Sequence, residues 1–255
     1  MIQKFKSNWF LFEELVKRDF TKRYKRTVLG MAWSMISPLA NLLIMWAVFS
    51  KLLGSSIEHY AVYLFIGQVI FSFFSESTNN GMTSLINNAD IFTKVNVPKY
   101  LFLFSQNISA LINFALTLVI MFLFCGIDGI AFTWKFILLL FPMVCLILFN
   151  IGMGLILSAM FVFFRDMQYL WGIASQLIMW LSATFYSIDT FSENIRRLFY
   201  FNPLFLYIRY FRKIIIDGEI PQAGFHLLAL GYALAVFAIG CLIYKKKNCE
   251  FLYYV

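Results

Sequence analysis

Six uncharged, apolar stretches run along the 255-residue chain and determine its predicted architecture. They cover residues 27–50, 59–75, 100–127, 136–164, 167–188 and 220–244. A helix needs about 20 apolar residues to cross the hydrocarbon core of a bilayer, and a charge at its centre costs about 2.5–3.5 kcal/mol. The pattern predicts an all-α polytopic membrane protein that forms a single domain over residues 1–255. Its six transmembrane helices are expected at about 34–53, 60–82, 100–125, 136–163, 168–187 and 222–244.

A further apolar stretch, residues 198–208, is too short to cross a membrane. Its 11 residues include Asn202 followed by Pro203. Segments of this length suit helices that enter the membrane and return on the same side. We therefore predict a re-entrant external segment over residues 189–219, between spans five and six.

The N-terminal residues 1–27 have the pattern of an amphipathic helix. At about 100° per residue, an apolar face carries Phe5, Trp9, Phe12, Val16 and Phe20. The opposite face carries Glu14, Lys17, Arg18 and Lys25. Helices of this kind lie in the plane of the membrane interface. The pattern thus predicts an interface helix before the first span.

Composition and charge exclude several classes of protein. Hydrophobic residues make up 61% of the chain and charged residues 13%, against roughly 45–50% and 25% in soluble domains. Eight basic residues lie within residues 4–26 and three within residues 245–247, whereas the short loops on the other face carry Lys51 and Lys135. The positive-inside rule places both termini in the cytoplasm, for a protein of the inner membrane, and explains the basic clusters without a nucleic-acid partner.

Residues for catalysis are sparse. Neither His59 nor His226 has an acidic residue four positions later, and the four cysteines form no C-x-x-C pair, so no metal site is expected. Glu76 is a carboxylate inside a predicted span, and such a residue suggests a functional site by default. The alternative is that Glu76 lies near the cytoplasmic end of the helix, where water hydrates it. A membrane-embedded glycosyltransferase or acyltransferase needs paired carboxylates or a His–Asp set, which the sequence does not offer. It also has no G-x-x-x-x-G-K-[ST] motif for ATP.

Four motifs occur in order along the chain. Residues 18–38 contain Arg-Asp, the run Lys-Arg-Tyr-Lys-Arg-Thr-Val-Leu-Gly, a tryptophan and a proline. Residues 91–98 are Ile-Phe-Thr-Lys-Val-Asn-Val-Pro, residues 164–166 are Phe-Arg-Asp, and residues 202–204 are Asn-Pro-Leu. Their order and spacing resemble the permease subunits of type-2 ABC exporters that move O-antigen, teichoic acid or capsule.

The resemblance implies a homodimer that works with two copies of a separate ATPase subunit. ATP and Mg²⁺ would be bound by that partner and no cofactor by this chain. The substrate would be a lipid-linked polysaccharide that passes between the two permeases among membrane lipids, and an exporter of a lipid or drug is the alternative within transport. The chain departs from the family at residues 182–186, where Ser-Ala-Thr-Phe-Tyr replaces a frequent T-P-I-x-Y. Without that proline, the sequence does not itself predict a helix kink there.

The resemblance also implies residues that contact or couple to the ATPase. The interface helix would offer Lys17, Arg18, Lys22, Arg23 and Arg26. A cytoplasmic coupling loop over residues 84–98, which contains Phe92 and Lys94, would receive the movement of the ATPase. Arg165 and Asp166 lie on the same side and would either brace that interface or form a helix-capping pair.

Candidate residues for the translocation pathway are aromatic, because sugars present apolar faces that stack on rings. They are Trp46 and Phe49 on span one, Phe71 and Phe74 on span two, and Trp180 and Phe185 on span five. In the external segment, Asn202 and Pro203 match the family motif. Arg209 and Arg212 would meet lipid phosphates or anchor the segment at the headgroups.

Overall fold

A computed structural model describes the backbone of residues 2–25, 29–53, 57–95, 97–189 and 191–254. Within these ranges the side chains of residues 2–8, 23, 24, 31, 51–53 and 253 are not described. Of the residues implied to contact the ATPase, Arg26 therefore lies outside the described residues, as does the side chain of Arg23.

The regular elements of the described ranges are all helical, as the sequence predicts. The helices are α1 (Ile2–Tyr24), α2 (Trp33–Leu53), α3 (Tyr60–Thr83), α4 (Ala89–Phe92), α5 (Tyr100–Ile127), α6 (Leu140–Phe163), α7 (Met167–Leu181), α8 (Glu193–Phe199), α9 (Pro203–Ile215), α10 (Ala223–Lys247) and α11 (Phe251–Tyr254). Short 3-10 turns cover Gly30–Ala32, Ile86–Asn88 and Trp134–Leu139.

Five helical segments of the described chain are long and apolar enough to cross a membrane. They are Trp33–Ser50, Tyr60–Thr83, Tyr100–Ile127, Trp134–Phe163 and Ala223–Lys247. The span predicted at 168–187 differs, because its helix α7 has 15 residues and ends at Leu181. At 1.5 Å per residue α7 is about 22 Å long, shorter than the roughly 30 Å of a hydrocarbon core. Residues 182–189 continue the chain without helix.

Helix α3 lies at the centre of the bundle, in contact with α2, α5, α6 and α9. Its residues Val62, Phe65, Ile66 and Ile70 are fully buried. Near its end α3 approaches α6 so closely that a Cβ on Gly81 would lie 3.1 Å from the Cα of Gly154. A small side chain at this crossing lets the two backbones touch.

Helix α10 packs along the opposite side of α6, again through glycine. A Cβ on Gly152 would lie 2.6 Å from the backbone nitrogen of Phe237, and one on Gly240 would lie 2.6 Å from the Gly152 carbonyl oxygen. Helix α6 is therefore held between α3 and α10, which explains its small residues as helix–helix contacts.

Among the long apolar helices, α2 and α7 stay largely exposed. On α2, Leu42 is buried while Leu43, Ile44 and Trp46 are exposed, and on α7 Trp171 is buried while Tyr169 is exposed. Each helix therefore buries one narrow face and presents a broad apolar surface outward. Helix α9 is the opposite case, since most of its side chains are enclosed by α3, α6 and α10.

Candidate functional site

At one end of the bundle, which we call the α1 end, a charged cluster fixes α1 to α5. The Arg18 guanidinium donates to Asp19 Oδ1 at 2.6 and 3.0 Å and to Asn88 Oδ1 at 2.7 Å. The hydroxyl of Ser105 on α5 donates to Asp19 Oδ2 at 2.8 Å. Asp19 is only 8% exposed, so these donors supply the hydrogen bonds of its carboxylate oxygens. We call Arg18, Asp19, Asn88 and Ser105 the α1 anchor.

The basic residues predicted to contact the ATPase therefore differ in exposure and in the hydrogen bonds that they make within the chain. Arg18 is bonded within the chain by the α1 anchor. Lys17 is exposed and lies 3.0 Å from Glu13 and 3.3 Å from Glu14 on its own helix. The hydrogen bond to Glu13, followed by the one to Glu14, raises the pKa of Lys17. Lys22 is also exposed, so Lys17 and Lys22 present charge to solvent.

The predicted coupling loop, residues 84–98, contains the turn Ile86–Asn88 and helix α4. Phe92 is buried and packs on Phe102 of α5, with 6.0 Å between ring centroids. Lys94 is exposed. The loop is thus attached to the bundle through Phe92, the buried Leu85 and the Asn88 bond to Arg18, and it presents Lys94 outward.

Lys99 ties this loop to the C-terminal helix α11. Its ammonium lies 5.7 Å from the centroid of the Phe92 ring and 5.6 Å from that of Phe251, and it donates to the Asn248 carbonyl. Burial lowers the pKa of Lys99. The loop and the C-terminal residues therefore share one buried cation.

Arg165 and Asp166 are exposed on the turn between α6 and α7. The Arg165 guanidinium lies 5.7 Å from the centroid of the Phe161 ring. Asp166 is the N-cap residue of α7, but its side chain makes no capping hydrogen bond. The geometry thus leaves both charged groups available at the α1 end.

At the other end, Arg212 holds the segment that follows α7. Its guanidinium donates to the carbonyls of Ala183 and Thr184, both at 2.8 Å, and of Tyr63 at 3.1 Å. It also lies 3.4 Å from the centroid of the Tyr63 ring, a cation–π contact. Arg212 is only 6% exposed. Arg212 was predicted to meet lipid phosphates or to anchor the segment at the headgroups. In the structure its guanidinium instead bonds carbonyls that lack a helical donor because α7 has ended.

Two tyrosines of α3 bind the next two carbonyls. The Tyr60 hydroxyl donates to Phe185 at 3.0 Å and the Tyr63 hydroxyl donates to Tyr186 at 2.8 Å. Four consecutive carbonyls, 183–186, are therefore held by side chains. We call Tyr60, Tyr63 and Arg212 the carbonyl clasp. It explains how the chain breaks the helix without the family's proline, even with Ala183 at a φ of 50°.

The Asn202–Pro203 pair begins α9 and joins it to the end of α7. The Asn202 side chain accepts from the Leu204 N–H at 3.0 Å, and its amide donates to Ser182 at 2.9 Å. Pro203 is the first helical residue, where its missing N–H costs nothing. The family motif thus acts as a helix cap beside the carbonyl clasp. Arg209 is half-buried, one turn from Arg212 on α9.

The predicted pathway aromatics separate into two sets. Phe185 is stacked on Phe49 with centroids 5.8 Å apart and meets Trp180 edge-on at 5.5 Å, and Trp46 and Trp180 are exposed. Phe74 is instead buried against Phe149 and Trp171 of neighbouring helices, and Phe71, 6.3 Å from it, is half-buried. The structure therefore unites candidates of α2 and the α7 region, whereas Phe74 belongs to the core.

A stripe of polar side chains runs along α3, of which only Glu76 was predicted from the sequence. The stripe consists of Gln68, Ser72, Glu76 and Asn80, each four residues after the last. Side chains at this spacing share one face of a helix. The Asn113 amide of α5 donates to Glu76 Oε1 at 2.8 Å. The i, i+4 recurrence inside an apolar span is the signal that identifies the stripe.

The chain is a membrane-spanning helical bundle with charged residues at one end and a bonded backbone break at the other. It belongs to the ABC-2 type transporter family, which matches residues 11–216.

Characterised relatives align along almost the whole chain. It is 26% identical to the O-antigen export system permease protein RfbA of Myxococcus xanthus, over 94% of both chains. It is 26% identical to an RfbA of Klebsiella pneumoniae, over 95% of both. To the polysialic acid transport protein KpsM of Escherichia coli it is 21% identical, over 92% of this chain and 93% of KpsM.

Proposed function

We propose that this chain is the permease subunit of an ATP-driven exporter that moves a lipid-linked polysaccharide across the cytoplasmic membrane. The observation that carries the proposal is the end-to-end similarity to O-antigen and polysialic acid exporters within the ABC-2 type family. Because the alignment includes nearly all residues of both chains, the likeness is not confined to one exchangeable segment.

Six crossings follow if the fifth is completed by backbone outside α7. The about 22 Å of α7 is extended by residues 182–189, whose polar backbone is protected because the carbonyl clasp bonds four of its carbonyls. Non-helical backbone at membrane depth is tolerated where protein covers it in this way. Both termini then lie in the cytoplasm, and α8 and α9 form an external re-entrant pair.

The working complex is a homodimer with two ATPase subunits, which bind ATP and Mg²⁺. The outward apolar faces of α2 and α7 support a second copy, since each offers a continuous surface with few internal contacts. The sequence offers no phosphate-binding loop of its own, which agrees with hydrolysis on a partner. ATP hydrolysis there supplies the free energy for transport.

The α1 end is the surface that receives the ATPase. Lys22, Lys94 and Arg165 present positive charge there, beside Lys17 with its partners Glu13 and Glu14. The buried Phe92 and Lys99 connect the 84–98 loop to the bundle. A push on the loop therefore reaches α5 through a packed ring. On the outer side, the cluster of Phe49, Trp180 and Phe185 lies beside the carbonyl clasp and offers stacking faces to the departing glycan.

Purification of the tagged protein from its own membranes in mild detergent tests this assignment. We expect an ATPase subunit to copurify in equal amount and to hydrolyse ATP in the complex. Cells that lack the chain should retain the glycan inside and regain surface glycan when the gene is restored. An ATP-inert protein without partner, together with normal surface glycan in the deletion strain, contradicts the proposal.

A further inference from the structure

A polar cavity between α2, α3 and α5 is open to the outside of the chain, where Ser37, Asn41 and Ser72 are exposed. Its volume is about 430 Å³, within the roughly 300–1,000 Å³ of small-molecule sites. Its polar lining includes Ser37 and Asn41 of α2, Gln68, Ser72 and Glu76 of α3, and Asn113 of α5. A second cavity of about 360 Å³ shares Glu76 and continues along Asn80 towards the α1 anchor. The polar stripe of α3 thus lines both, over about 18 Å of helix.

Gln68 is the residue that indicates a missing ligand. It is 8% exposed, and its amide nitrogen donates to the Pro38 carbonyl at 3.3 Å. Its amide oxygen is buried and has no hydrogen-bond partner. Buried polar atoms in native proteins are nearly always bonded. The Gln68 side chain lines the cavity, so a rotation of its amide is expected to bring this oxygen to a donor of the cavity's occupant.

The chemistry of the lining restricts what that occupant is. Glu76 is the charged residue of the 430 Å³ cavity, and the described lining there contains no lysine or arginine. Carboxylate and amide oxygens accept hydrogen bonds, so a matching ligand donates them. A phosphate group has only acceptors to offer when ionised, and the Glu76 carboxylate repels it. The charged residues Arg18, Asp19 and Lys22 line the second cavity instead.

Aromatic side chains form the remaining wall. Trp33, Phe73 and Phe114 line the same cavity, one from each of its three helices. Rings beside hydroxyl, amide and carboxylate groups suit a molecule with an apolar face and a donor-rich edge. A sugar ring has both.

We propose that this cavity, the stripe cleft, is a subsite for one or more uncharged sugar units of the exported glycan, held within each protomer. The assignment rests on the proposed function and adds the residues that recognise the substrate. Gln68 accepts a hydrogen bond from one sugar hydroxyl. The bonded pair of Glu76 and Asn113 accepts and donates hydrogen bonds at the next sugar hydroxyl. The cleft opens towards the α1 end, where the glycan enters.

Photo-crosslinking in cells that make the glycan tests the cleft with the native substrate. Benzoylphenylalanine is introduced at Ser37, within the cleft, or at Leu43, an exposed position on another face of α2. After irradiation, the adduct on the purified chain is weighed by peptide mass spectrometry. We expect hexose-containing masses at Ser37 and no hexose-containing mass at Leu43.

A matched pair of substitutions then tests Gln68. Gln68→Leu removes the unpartnered oxygen and should reduce the sugar adduct at Ser37 about fivefold, as expected for one lost hydrogen bond. Asn150→Leu removes another buried amide without a partner, on α6 and outside the cavity lining, and should leave the adduct unchanged. Equal adducts in both variants overturn the role of Gln68.

Acyl-chain adducts at Ser37, or no adduct beyond water, in cells that still export the glycan overturn the subsite while the proposed function stands. Failure of the proposed function has a different signature, because surface glycan is then normal in cells that lack the chain. Sugar adducts at Ser37 that decrease with Gln68→Leu and not with Asn150→Leu support the stripe cleft.

Discussion

The carbonyl clasp and the α1 anchor solve similar problems with opposite chemistry. In the clasp, one buried cation and two tyrosines donate to the backbone of residues 183–186, and Arg212 has no carboxylate among the partners that bond its guanidinium. In the anchor, a buried carboxylate, Asp19, accepts from an arginine whose side chain is 40% exposed. The clasp donates to the dipoles of backbone carbonyls, whereas the anchor pairs the Asp19 carboxylate with a partly exposed arginine.

The difference shows how accessible to water the contacts are at each end of the bundle. Water can reach the Arg18 side chain, which is 40% exposed, although the Asp19 side chain beside it is only 4% exposed. No water reaches the carbonyls of Ala183 and Thr184 as directly, because both residues are almost fully buried. The α1 anchor therefore includes one group that water can reach, whereas the break after α7 depends on groups that are almost fully buried.

Arg212→Met should have the largest effect. It leaves the carbonyls of Ala183 and Thr184 without this donor, and each unmet buried acceptor costs about 1–3 kcal/mol, so we expect a loss of about 3 kcal/mol in the free energy of unfolding. Chemical denaturation in mixed micelles measures it. Arg209→Met, on the same helix and half-buried, is the control and should lose far less. Equal stability of Arg212→Met and wild type would remove the distinction between the two ends.

Asp19→Leu should be next, at about 2 kcal/mol, because Arg18 and Ser105 lose a charged acceptor. The loss should be local, freeing α1 from α5. Trypsin cleavage within residues 17–25 should accelerate and bound ATPase should decrease, while the carbonyl clasp stays intact. Lys17→Ala, which removes an exposed pair on the same helix, should not alter cleavage elsewhere in α1. Protection of α1 in Asp19→Leu would show that apolar contacts such as Leu15 suffice.

Tyr60→Phe removes one donor from the clasp and should cost about 1 kcal/mol. Its acceptor, the carbonyl of buried Phe185, then has no replacement. Tyr63→Phe is the matched variant, since Tyr63 is half-buried and water can reach the freed carbonyl of Tyr186. The same denaturation assay should rank Tyr60→Phe below Tyr63→Phe in stability. The reverse order would mean that exposure does not determine the cost of a lost clasp bond.

Much of the fold follows from the apolar pattern, because a bilayer demands long apolar helices and α2, α3, α5, α6 and α10 each contain such a segment. The end of α7 at Leu181 does not follow, since it depends on Arg212 and Tyr60, which lie far away in sequence. Arg212 looks like a headgroup anchor in sequence for the same reason: its carbonyl partners appear only in the folded chain.

The candidate site divides in the same way. The Asn202–Pro203 cap and the exposed Lys94 are local features that a sequence displays directly. The stripe through Gln68 and Glu76 was also visible as a four-residue recurrence, but its partner Asn113 lies 37 positions away from Glu76. Recognising a cavity requires knowing that α2, α3 and α5 meet, which no local pattern contains.

The smallest effect concerns the pH dependence contributed by Lys99. Because burial lowers its pKa in the folded chain below the ordinary 10.5, the unfolded chain binds more protons between these two values, and stability rises with pH there. The free energy of unfolding of wild type minus that of Lys99→Met should therefore increase from neutral pH to about pH 10, by about a few tenths of a kcal/mol because nearby water screens the charge. A difference that falls with pH would mean that the rings of Phe92 and Phe251 favour the charged ammonium more than burial opposes it. The α1 end would then resemble the carbonyl clasp, with a cation that stabilises the packing around it.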